Sequence, residues 1–470
     1  DNFSDQDWGN QQSTNTQNYE SVEYWDDEWD DDSETGAPPP PPLSHGVHLV
    51  PVTKSSSLTD DCAIGRSDSK GTVGRRNLNR FSTFVKSAGE SYIMGTVKIN
   101  VPDSDKVFII ENELGVIWSP ITQPYECMVA SPKKETKLKG LKSFIAYQLT
   151  PTFNHIQVSR RYKHFDWLHE RLEEKFNLIP IPPLPDKQIS GRYEEQFIEH
   201  RKNQLQAFVD SVCRHPVLSR SSVWEHFITC TDEKRWKQGK RKAEKDELVG
   251  AHYFLAIQAP ENIINQYQLE QDTEACSRFV HSMDGAVKNL MACSVDQTKK
   301  HQGPYKREYQ KVGQAFYNFG QVFGMEESKG SSSTSLTTAI KELGDTYNDI
   351  GKMFEEQPKL DWEPLGDTLH IFKGILSAFP DILTVHKGAL QKRKECEKLT
   401  FDHKMEASQM QEVTKRTDAV SYALLAEINH FHKERTSEIK ISMKRFLQEQ
   451  VRFYKNIVEK LESALTKFEE

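Results

Sequence analysis

The sequence predicts a multidomain protein in which a disordered acidic segment precedes a compact α+β domain and a long all-α region. Residues 1–36 hold twelve acidic residues, and no Lys or Arg occurs before Lys54. Short apolar runs with partial alternation, typical of strands, occur within residues 125–231. From about 251 to 470, apolar residues recur in steps of four and three, the spacing that keeps one stripe of a helix against a neighbouring helix.

The composition places limits on the fold and on its partners. Of the 470 residues, 36% are hydrophobic and 28% charged, which favours long solvated helices and disordered segments over one large core. The net charge of −8 comes from the acidic segment, because without its twelve acids 57 acidic residues face 61 basic ones. The remainder therefore carries +4 and suits an anionic surface. The seven cysteines include no CxxC pair, which indicates reduced thiols and neither a disulfide framework nor a zinc site.

Residues 1–78 form the predicted disordered region, since polar residues dominate and few aliphatic ones are available for a core. An acidic run within it carries Trp25 and Trp29, and residues 38–42 are five successive prolines, which favour extended polyproline. One interpretation is a solvating linker. The other is a linear motif, in which the two tryptophans fill a pocket of a partner protein.

Residues 79–124 contain short apolar pieces, at 92–94 and 107–110, that we interpret as strands or packing segments. Residues 125–231 are predicted to form an α+β domain with a three-stranded sheet, whose strands cover 127–129, 144–149 and 155–159. Two helices follow, separated by a proline-rich segment at 180–185 that is neither helix nor central strand. The apolar residues that predict these helices are Phe165, Leu168, Leu172 and Phe176, and then, from a start near Ser190, Phe197, Leu205, Phe208 and Val212.

Residues 232–250 form a basic linker, with seven basic residues between Lys234 and Lys245. We predict an amphipathic helix that lies on an anionic membrane, because such helices combine cations with an interfacial aromatic residue. Its predicted membrane-binding residues are Trp236, Lys240, Arg241 and Lys242. An ordinary charged linker is the alternative interpretation.

The all-α region, 251–470, is interrupted by polar stretches at 327–335 and 402–411. Three antiparallel helices of roughly 60 to 75 residues result, each on the order of 100 Å long. A single bundle of this length would expose much of its apolar stripe, so dimerisation through a coiled-coil bundle is expected. The longest apolar series comprises Leu447, Val451, Tyr454, Val458, Leu461, Leu465 and Phe468.

No catalytic motif is found in the sequence. It contains no GxxxxGK[ST], HExxH or GxSxG pattern, and its sixteen histidines do not cluster at the spacing of metal ligands. His430 and His432, two apart on a predicted helix, point to different faces. We therefore predict no catalytic residues, no metal and no cofactor, and an enzyme is the weakest interpretation of this chain.

One set of residues in the α+β domain does indicate binding chemistry. Arg160, Arg161 and Tyr162 end a strand, the proline-rich segment then leads to Lys187, and Arg201 lies on the next helix. A phosphorylated inositol needs a bidentate cation, an aromatic ring to stack on, and a second cation for its bridging phosphate. Each residue alone is ordinary surface chemistry, whereas the ordered set indicates a phosphoinositide site.

Residues 125–231 resemble a phox-homology (PX) domain, whose phosphoinositide signature is RRY followed by an apolar-Pro-x-x-Pro-x-Lys segment. The wider chain resembles the PX–BAR sorting nexins of the subgroup nine, eighteen and thirty-three. That likeness is carried by residues 160–172, 184–198, 236–250 and 421–432. It implies a yoke-like segment at 79–124 that packs on both domains, and a dimerising, curvature-generating BAR domain at 251–470.

The resemblance also implies a role for each pocket residue. Arg161 would hold the 3-phosphate, and Tyr162 would stack under the inositol ring. Lys187 would reach the 1-phosphate, and Arg201 would bind the ring hydroxyls opposite.

Members of this subgroup bind phosphoinositides, dimerise and bend membranes in endocytosis, beside dynamin, clathrin adaptors and actin nucleators. Trp25 and Trp29 resemble the family's stretch that binds clathrin or its adaptors. No Src-homology-3 domain is visible in this sequence, so binding to dynamin or to a Wiskott–Aldrich-type nucleator through that domain is implied only for a longer parent. The implied location is the cytoplasmic face of the plasma membrane, clathrin-coated pits and endocytic vesicles.

No nucleic-acid partner is expected. The alternative to a membrane-bending protein is a coiled-coil protein scaffold whose PX-like domain binds proteins and no lipid.

Overall fold

The computed structural model describes residues 88–113, 115–137, 142–187, 193–325 and 331–469. The predictions for Trp25, Trp29 and the disordered region 1–78 therefore lie outside the described residues. In chain order the described helices and strands are α1 (Gly89–Met94), β1 (Val107–Asn112), β2 (Gly115–Trp118), β3 (Cys127–Lys137), β4 (Lys142–Pro151), β5 (Val158–Arg161), α2 (Tyr162–Lys175), α3 (Glu195–Arg214), α4 (Ser222–Thr229), α5 (Glu233–Glu244), β6 (Ile257–Gln258), α6 (Gln266–Lys300), α7 (Lys306–Gly324), α8 (Ser331–Glu356), α9 (Trp362–Phe401) and α10 (Ala407–Thr466).

The first sheet joins the start of the described chain to the segment just before the long helices. Strand β1 pairs antiparallel with β2 and parallel with β6. The apolar piece at 92–94 is the helix α1 and not a strand, and it packs through Tyr92 and Ile93, which are buried. Three successive apolar residues carry no periodicity, so the sequence alone does not separate helix from strand here.

The second sheet has three strands, as predicted, and they are antiparallel in the order β3-β4-β5. The central strand β4 is buried over residues 146–149, whereas β3 alternates, with Cys127 and Val129 buried and Met128 exposed. Strand β5 begins three residues later than predicted, because His155 adopts a positive φ of 53° in the preceding turn.

Helices α2, α3 and α4 accompany this sheet. The α3 helix begins at Glu195, a few residues after the predicted start near 190. The predicted apolar residues of α2 and α3 lie in one core, where Phe165 contacts Phe208 at 6.4 Å and Phe227 at 5.0 Å between ring centres. Together these elements form the expected small α+β domain.

Three long helical rods follow, and their breaks agree with the predicted interruptions. We call α6 and α7 the first rod, α8 and α9 the second, and α10 the third. Contacts between α9 and α10 run in opposite directions along the two helices, which are therefore antiparallel. The contacts are His386 with Ser421, Phe379 with Phe431, and Trp362 with Phe446.

The first and second rods are not continuous α-helices, although the spacing predicted continuous ones. A π-helical turn, His301–Tyr305, separates α6 from α7 and contains Pro304. A 3₁₀ turn, Gln357–Lys359, separates α8 from α9 and contains Pro358. Proline lacks the N–H that an α-helix needs, which explains both breaks. The two turns contact each other, and His301 also packs against Phe354 at the end of α8, with ring centres 5.6 Å apart.

By length and composition alone, the stretch Thr334–Phe401 is apolar enough to cross a membrane. Its apolar side chains are used within the bundle, however, where Leu369, Phe372 and Phe379 are buried. Packing against α6 and α10 accounts for the apolar character of this rod.

Candidate functional site

The structure links three of the four predicted pocket residues, Tyr162, Lys187 and Arg201, through helix α2. Arg161 ends β5, Tyr162 begins α2, and Arg201 lies on α3. The guanidinium carbon of Arg201 is 4.4 Å from the centre of the Tyr162 ring. Lys187 forms an ion pair of 2.8 Å with Asp166, one turn after Tyr162 on α2. Tyr162 and Arg201, which are 39 residues apart in sequence, therefore meet in the fold.

Tyr162 is held on two sides. Its hydroxyl donates a hydrogen bond to the carbonyl of Pro185, and Arg201 covers its ring. Burial raises the pKa of the Tyr162 hydroxyl above its ordinary value, so the group stays protonated and remains a donor at neutral pH. These contacts fix the ring beside the proline-rich segment.

Arg201 is committed to contacts inside the protein. It is 8% exposed, and its Nη2 donates to the carbonyl of Asp186 at 3.0 Å. Its guanidinium also lies 4.4 Å from the Phe197 ring centre. Burial lowers the pKa of Arg201, but an arginine starting from 12.5 remains charged at neutral pH. In this geometry Arg201 connects α3 to the proline-rich segment and to Tyr162.

Arg161 has a different environment. It is half-buried, its Nε donates to His164 Nε2 at 3.2 Å, and its guanidinium carbon is 5.5 Å from the Phe144 ring centre. Within the described part of the chain, no carboxylate forms an ion pair with Arg161. Its guanidinium is thus positioned by neutral groups, and its charge is available to a phosphate.

Arg160, the first arginine of the same motif, is a structural residue. It is 5% exposed and donates to three carbonyls, those of Ser159 at 2.8 Å, Phe227 at 2.9 Å and Cys230 at 2.7 Å. Burial lowers the pKa of Arg160 to about 10, which leaves it charged at neutral pH. Adjacent strand residues point to opposite faces, so Arg160 enters the core while Arg161 does not.

Lys133 is a further cation near the pocket that the sequence interpretation missed. Ala146 on the central strand is opposite Arg161 on one side and opposite Lys133 on the other. Directly opposed residues project from the same face of a sheet, so exposed Lys133 shares a face with Arg161. Strand register is the only signal for this neighbour, and the sequence does not supply it.

The structure divides the predicted membrane-binding set on α5. Trp236 packs inward, where it stacks on His226 with ring centres 5.3 Å apart and lies 4.1 Å from the Arg160 guanidinium carbon. Lys240, one turn later, has its Nζ 5.4 Å from the Trp167 ring centre. Arg241 and Lys242 are exposed. Helical geometry puts residues four apart on one face, so Trp236 and Lys240 face the α+β domain. The prediction of membrane binding by α5 therefore depends on the outward cations.

The second rod supports the proline-rich segment that leads to Lys187. A Cβ added to Gly374 on α9 would lie 2.3 Å from the Pro183 ring, so the two backbones approach closely here. The imidazole of His370 hydrogen-bonds the carbonyl of Leu184 at 3.0 Å. On α3, His200 pairs with Asp367 at 2.9 Å, and this hydrogen bond raises the pKa of His200. The candidate pocket is thus built against the rod.

The predicted apolar series on the third rod is exposed within this chain. Its members lie four and three residues apart along α10 and form an apolar stripe that stays exposed in the described part of the chain. We call this the α10 stripe. Its residues, with their exposed fractions, are Leu447 (60%), Val451 (53%), Tyr454 (56%), Val458 (51%), Leu461 (38%) and Leu465 (59%). A contiguous exposed apolar surface of this kind is typical of a protein–protein interface.

Two family models match the chain. Residues 148–231 match the PX domain, and residues 232–469 match the WASP-binding domain of sorting nexin proteins. The two matches adjoin at the start of α5.

Several curated proteins are similar over most of the chain. The chain is 39% identical to sorting nexin lst-4 of Caenorhabditis elegans over 447 residues, covering 95% of this chain and 77% of that protein. It is 41% identical to human sorting nexin-33 over 403 residues, covering 86% and 70%. It is also 42% identical to mouse sorting nexin-18 over 359 residues, covering 76% and 58%.

The fold is also similar to a solved structure. The cryo-EM structure of the SNX-BAR Mvp1 tetramer aligns with a TM-score of 0.55 at 15% identity, covering 72% of this chain and 99% of that one. At this identity the likeness concerns the fold alone. The family models and the close relatives, together with the small sheet domain followed by three rods, show that this chain belongs to the PX–BAR sorting nexins, the subgroup of sorting nexin-18 and sorting nexin-33, which are peripheral scaffolds of membrane trafficking.

Proposed function

We propose that this sorting nexin is a phosphoinositide-binding scaffold, and not an enzyme, that dimerises and bends membranes in endocytosis. The observation that carries the proposal is the arrangement at the edge of the PX domain. Arg161, which has no described carboxylate partner, directly precedes Tyr162, and Lys187 pairs with Asp166 one turn further along α2. A cation that is positioned but not neutralised is what recognition of a phosphate requires.

The pocket residues take separate roles in this proposal. Arg161 binds the 3-phosphate through its planar guanidinium, and Tyr162 stacks under the inositol ring. Lys187 exchanges Asp166 for the 1-phosphate, an exchange favoured by the 67% exposure of its side chain. Arg201 faces the ring hydroxyls, and its contacts with Tyr162 and Asp186 keep the pocket in shape. The preferred phosphoinositide depends on further cations, of which Lys133 is one.

Dimerisation through the α10 stripe gives the scaffold two pockets. Once one pocket is engaged, the second binds at a high effective concentration, and avidity exceeds a single affinity by roughly 10²–10⁴. The outward cations of α5, Arg241 and Lys242, add about 1 kcal/mol each near an anionic leaflet. A rigid pair of rods then imposes its shape on the membrane.

The proposed protein partners are those of endocytosis. The description of the matched model, a WASP-binding domain of sorting nexins, supports binding of a Wiskott–Aldrich-type actin nucleator by the rods themselves. We propose clathrin or a clathrin adaptor as the partner of Trp25 and Trp29, and dynamin as a partner of a longer parent protein. The proposed location is the cytoplasmic face of the plasma membrane, clathrin-coated pits and endocytic vesicles.

Co-sedimentation with vesicles across a panel of phosphoinositides tests the pocket. Arg161→Ala should weaken binding to the preferred lipid about tenfold or more, since hydrogen bonds to charged groups contribute about 1.5–3 kcal/mol. The control is Arg171→Ala, which removes an arginine of α2 that is paired with Glu174. Equal binding by Arg161→Ala and the control would refute the pocket assignment.

Electron microscopy of the same samples separates the proposal from its alternative. A membrane-bending scaffold converts vesicles to tubules, whereas a coiled-coil scaffold whose PX domain binds proteins only leaves them round.

A further inference from the structure

We propose that Glu427 is a positioning residue that fixes the PX domain to the third rod by clamping Trp118 and His215. The function of the clamp rests on the proposed membrane binding, because it holds the headgroup pocket at a set orientation to the rod. The clamp itself is a feature of the protein without lipid.

The clamp joins three parts of the chain that are far apart in sequence. Glu427 lies on α10 and is 1% exposed. Its Oε2 accepts a hydrogen bond from the indole Nε1 of Trp118, at the end of β2, at 2.9 Å. The same oxygen lies 3.0 Å from Nε2 of His215, the residue that caps the C-terminus of α3. One carboxylate therefore holds the first sheet, the PX domain and the rod together.

The hydrogen bonds of His215 define which of its nitrogens carries the proton. Its Nδ1 accepts from the backbone N–H groups of Val217 at 3.1 Å and Leu218 at 3.2 Å. The imidazole proton therefore resides on Nε2 and points at Glu427. Both partners of the carboxylate are then donors, as a buried anion requires.

Glu427 is a buried carboxylate, so its stability in the clamp depends on the two donors, Trp118 and His215. Although burial acts to raise it, the pKa of Glu427 is held below its usual range by the His215 imidazole and the Trp118 hydrogen bond. The neighbouring imidazole of His430 is 4.5 Å from that of His215, and burial lowers its pKa to about 3, so it is neutral. An ionised buried acid is tolerated only while its donors remain in place, so loss of the acid or of a donor opens the junction.

One part of the junction beside the clamp is not closely packed. A cavity of about 570 Å³ lies between α3 on one side and α9 and α10 on the other. Across it, Arg214 pairs with Glu434 at 2.9 Å and with Glu438 at 3.3 Å, but these side chains are partly exposed. Exposed ion pairs contribute little to rigidity. By contrast, the hydrogen bonds from Trp118 and His215 to the Glu427 carboxylate join side chains that are all buried.

The clamp and the candidate pocket are connected through α3, because Arg201 lies on this helix and His215 caps its end. Arg201 lies near the start of α3, where His200 and Gln204 both bond Asp367 of the second rod. His215 ends the same helix at Glu427. The helix that supports the pocket is therefore attached to the rods at both ends, and releasing one end lets the pocket turn relative to the rod.

The experiment measures the distance between the PX domain and the rod directly. Spin labels are attached at Met128→Cys on the PX sheet and Arg278→Cys on α6, after Cys62→Ser, Cys230→Ser and Cys293→Ser, with each labelled chain diluted into unlabelled protein. Electron–electron resonance then gives the distance distribution in wild-type, Glu427→Leu and Glu427→Gln proteins. We expect the distribution to become at least twofold wider in Glu427→Leu and to remain narrow in Glu427→Gln, which keeps an acceptor oxygen.

A milder variant keeps the test decisive if Glu427→Leu does not fold. Trp118→Phe removes one donor without removing the acid, and it should widen the distribution less than Glu427→Leu. A wild-type width in whichever of these two variants folds would overturn the proposal.

A second measurement separates this inference from the proposed function. A soluble short-chain phosphoinositide should bind Glu427→Leu as it binds wild type, while vesicle binding falls about tenfold. If the soluble lipid does not bind wild type at all, the proposed function fails. The distance measurement still tests whether Glu427 fixes the PX domain to the rod.

Discussion

His386 is a histidine of the second rod that must stay neutral for the rod to be stable. It is 1% exposed, and its Nε2 lies 3.0 Å from Ser421 Oγ on α10. The Ser421 hydroxyl donates to the carbonyl of Thr417, so its oxygen is left to accept from His386 Nε2–H. Burial lowers the pKa of His386 from 6.5 to about 4.

This shift predicts a loss of stability in mild acid. Between pH 6.5 and 4 the unfolded chain takes up a proton at His386 and the folded protein does not, so stability falls as the pH falls. The full effect is about 3 kcal/mol, and it is absent above pH 7. Thermal unfolding followed by circular dichroism at pH 7.5, 6 and 5 should show part of this loss abolished in His386→Gln, which keeps a donor to Ser421.

The control for this prediction is His281→Gln, which removes an exposed imidazole from α6. If His386→Gln and wild type lose the same stability between pH 7.5 and 5, the neutral form of His386 is not what the rod requires.

The pocket residues also show how much of the candidate site can be predicted from the sequence. Arg161, Tyr162, Lys187 and Arg201 were predicted to form one pocket, because the order of a strand end, a proline-rich segment and a helix restricts their placement. Arg201 lies over the Tyr162 ring, and Lys187 pairs with Asp166 on the helix that Tyr162 begins. The shared pocket itself stays a prediction. The burial of Arg160 in the core was not predicted, because the pattern RRY does not show which arginine faces the core. That choice is made by the carbonyls at the end of α4, almost 70 residues later.

Among the elements, α9 is distinguished by its close approach to the proline-rich segment. A methyl group at Gly374 would lie 2.3 Å from the Pro183 ring, and the rigid ring cannot rotate away. We predict that Gly374→Ala lowers stability by about 1–3 kcal/mol, the usual cost of overpacking. It should also increase hydrogen exchange in the segment around Leu184, whose carbonyl bonds His370.

Gly285→Ala provides the matched control, because this glycine is also inside a long helix and a Cβ there would meet nothing within 4 Å. It should stabilise the protein by up to about 1 kcal/mol through helix propensity alone. Equal melting temperatures for the two variants would show that α9 and Pro183 are not in contact in solution.

The elements also show where sequence patterns succeed and where they do not. The rods were predicted well, because four-three spacing over many turns is a strong signal and polar stretches mark its breaks. The turns at His301–Tyr305 and Gln357–Lys359 were missed, although Pro304 and Pro358 were visible. The inward position of Trp236 was missed as well. A basic helix with one tryptophan has the same sequence pattern whether it packs on lipid or on protein.

For the whole molecule, the contacts that unite the PX domain with the rods have no signature in the sequence. Trp118 and Glu427 are 309 residues apart, and His215 and Glu427 are 212 apart. Periodicity reports which face of a helix is buried, but not against which distant partner. Only the folded chain shows that α3 contributes to the candidate pocket and also contacts the rods.

Dimerisation is the property of the whole molecule on which its proposed action depends. The α10 stripe lacks a cover in the described chain, and a second copy that covers it gains about 25 cal/mol for each Å² of apolar surface removed from water. Val451→Lys combined with Val458→Lys places two charges in that interface, where desolvation opposes association. Light scattering should then report a monomer, and vesicle affinity should fall roughly 10²-fold with the loss of bivalency. Binding of a soluble phosphoinositide should not change, because the pocket lies elsewhere.

Met128→Lys, on the exposed face of β3, adds a charge to the PX domain and should leave the dimer intact. A dimer that persists in the double variant would mean that another surface joins the two chains, and the stripe would then be free for a different partner.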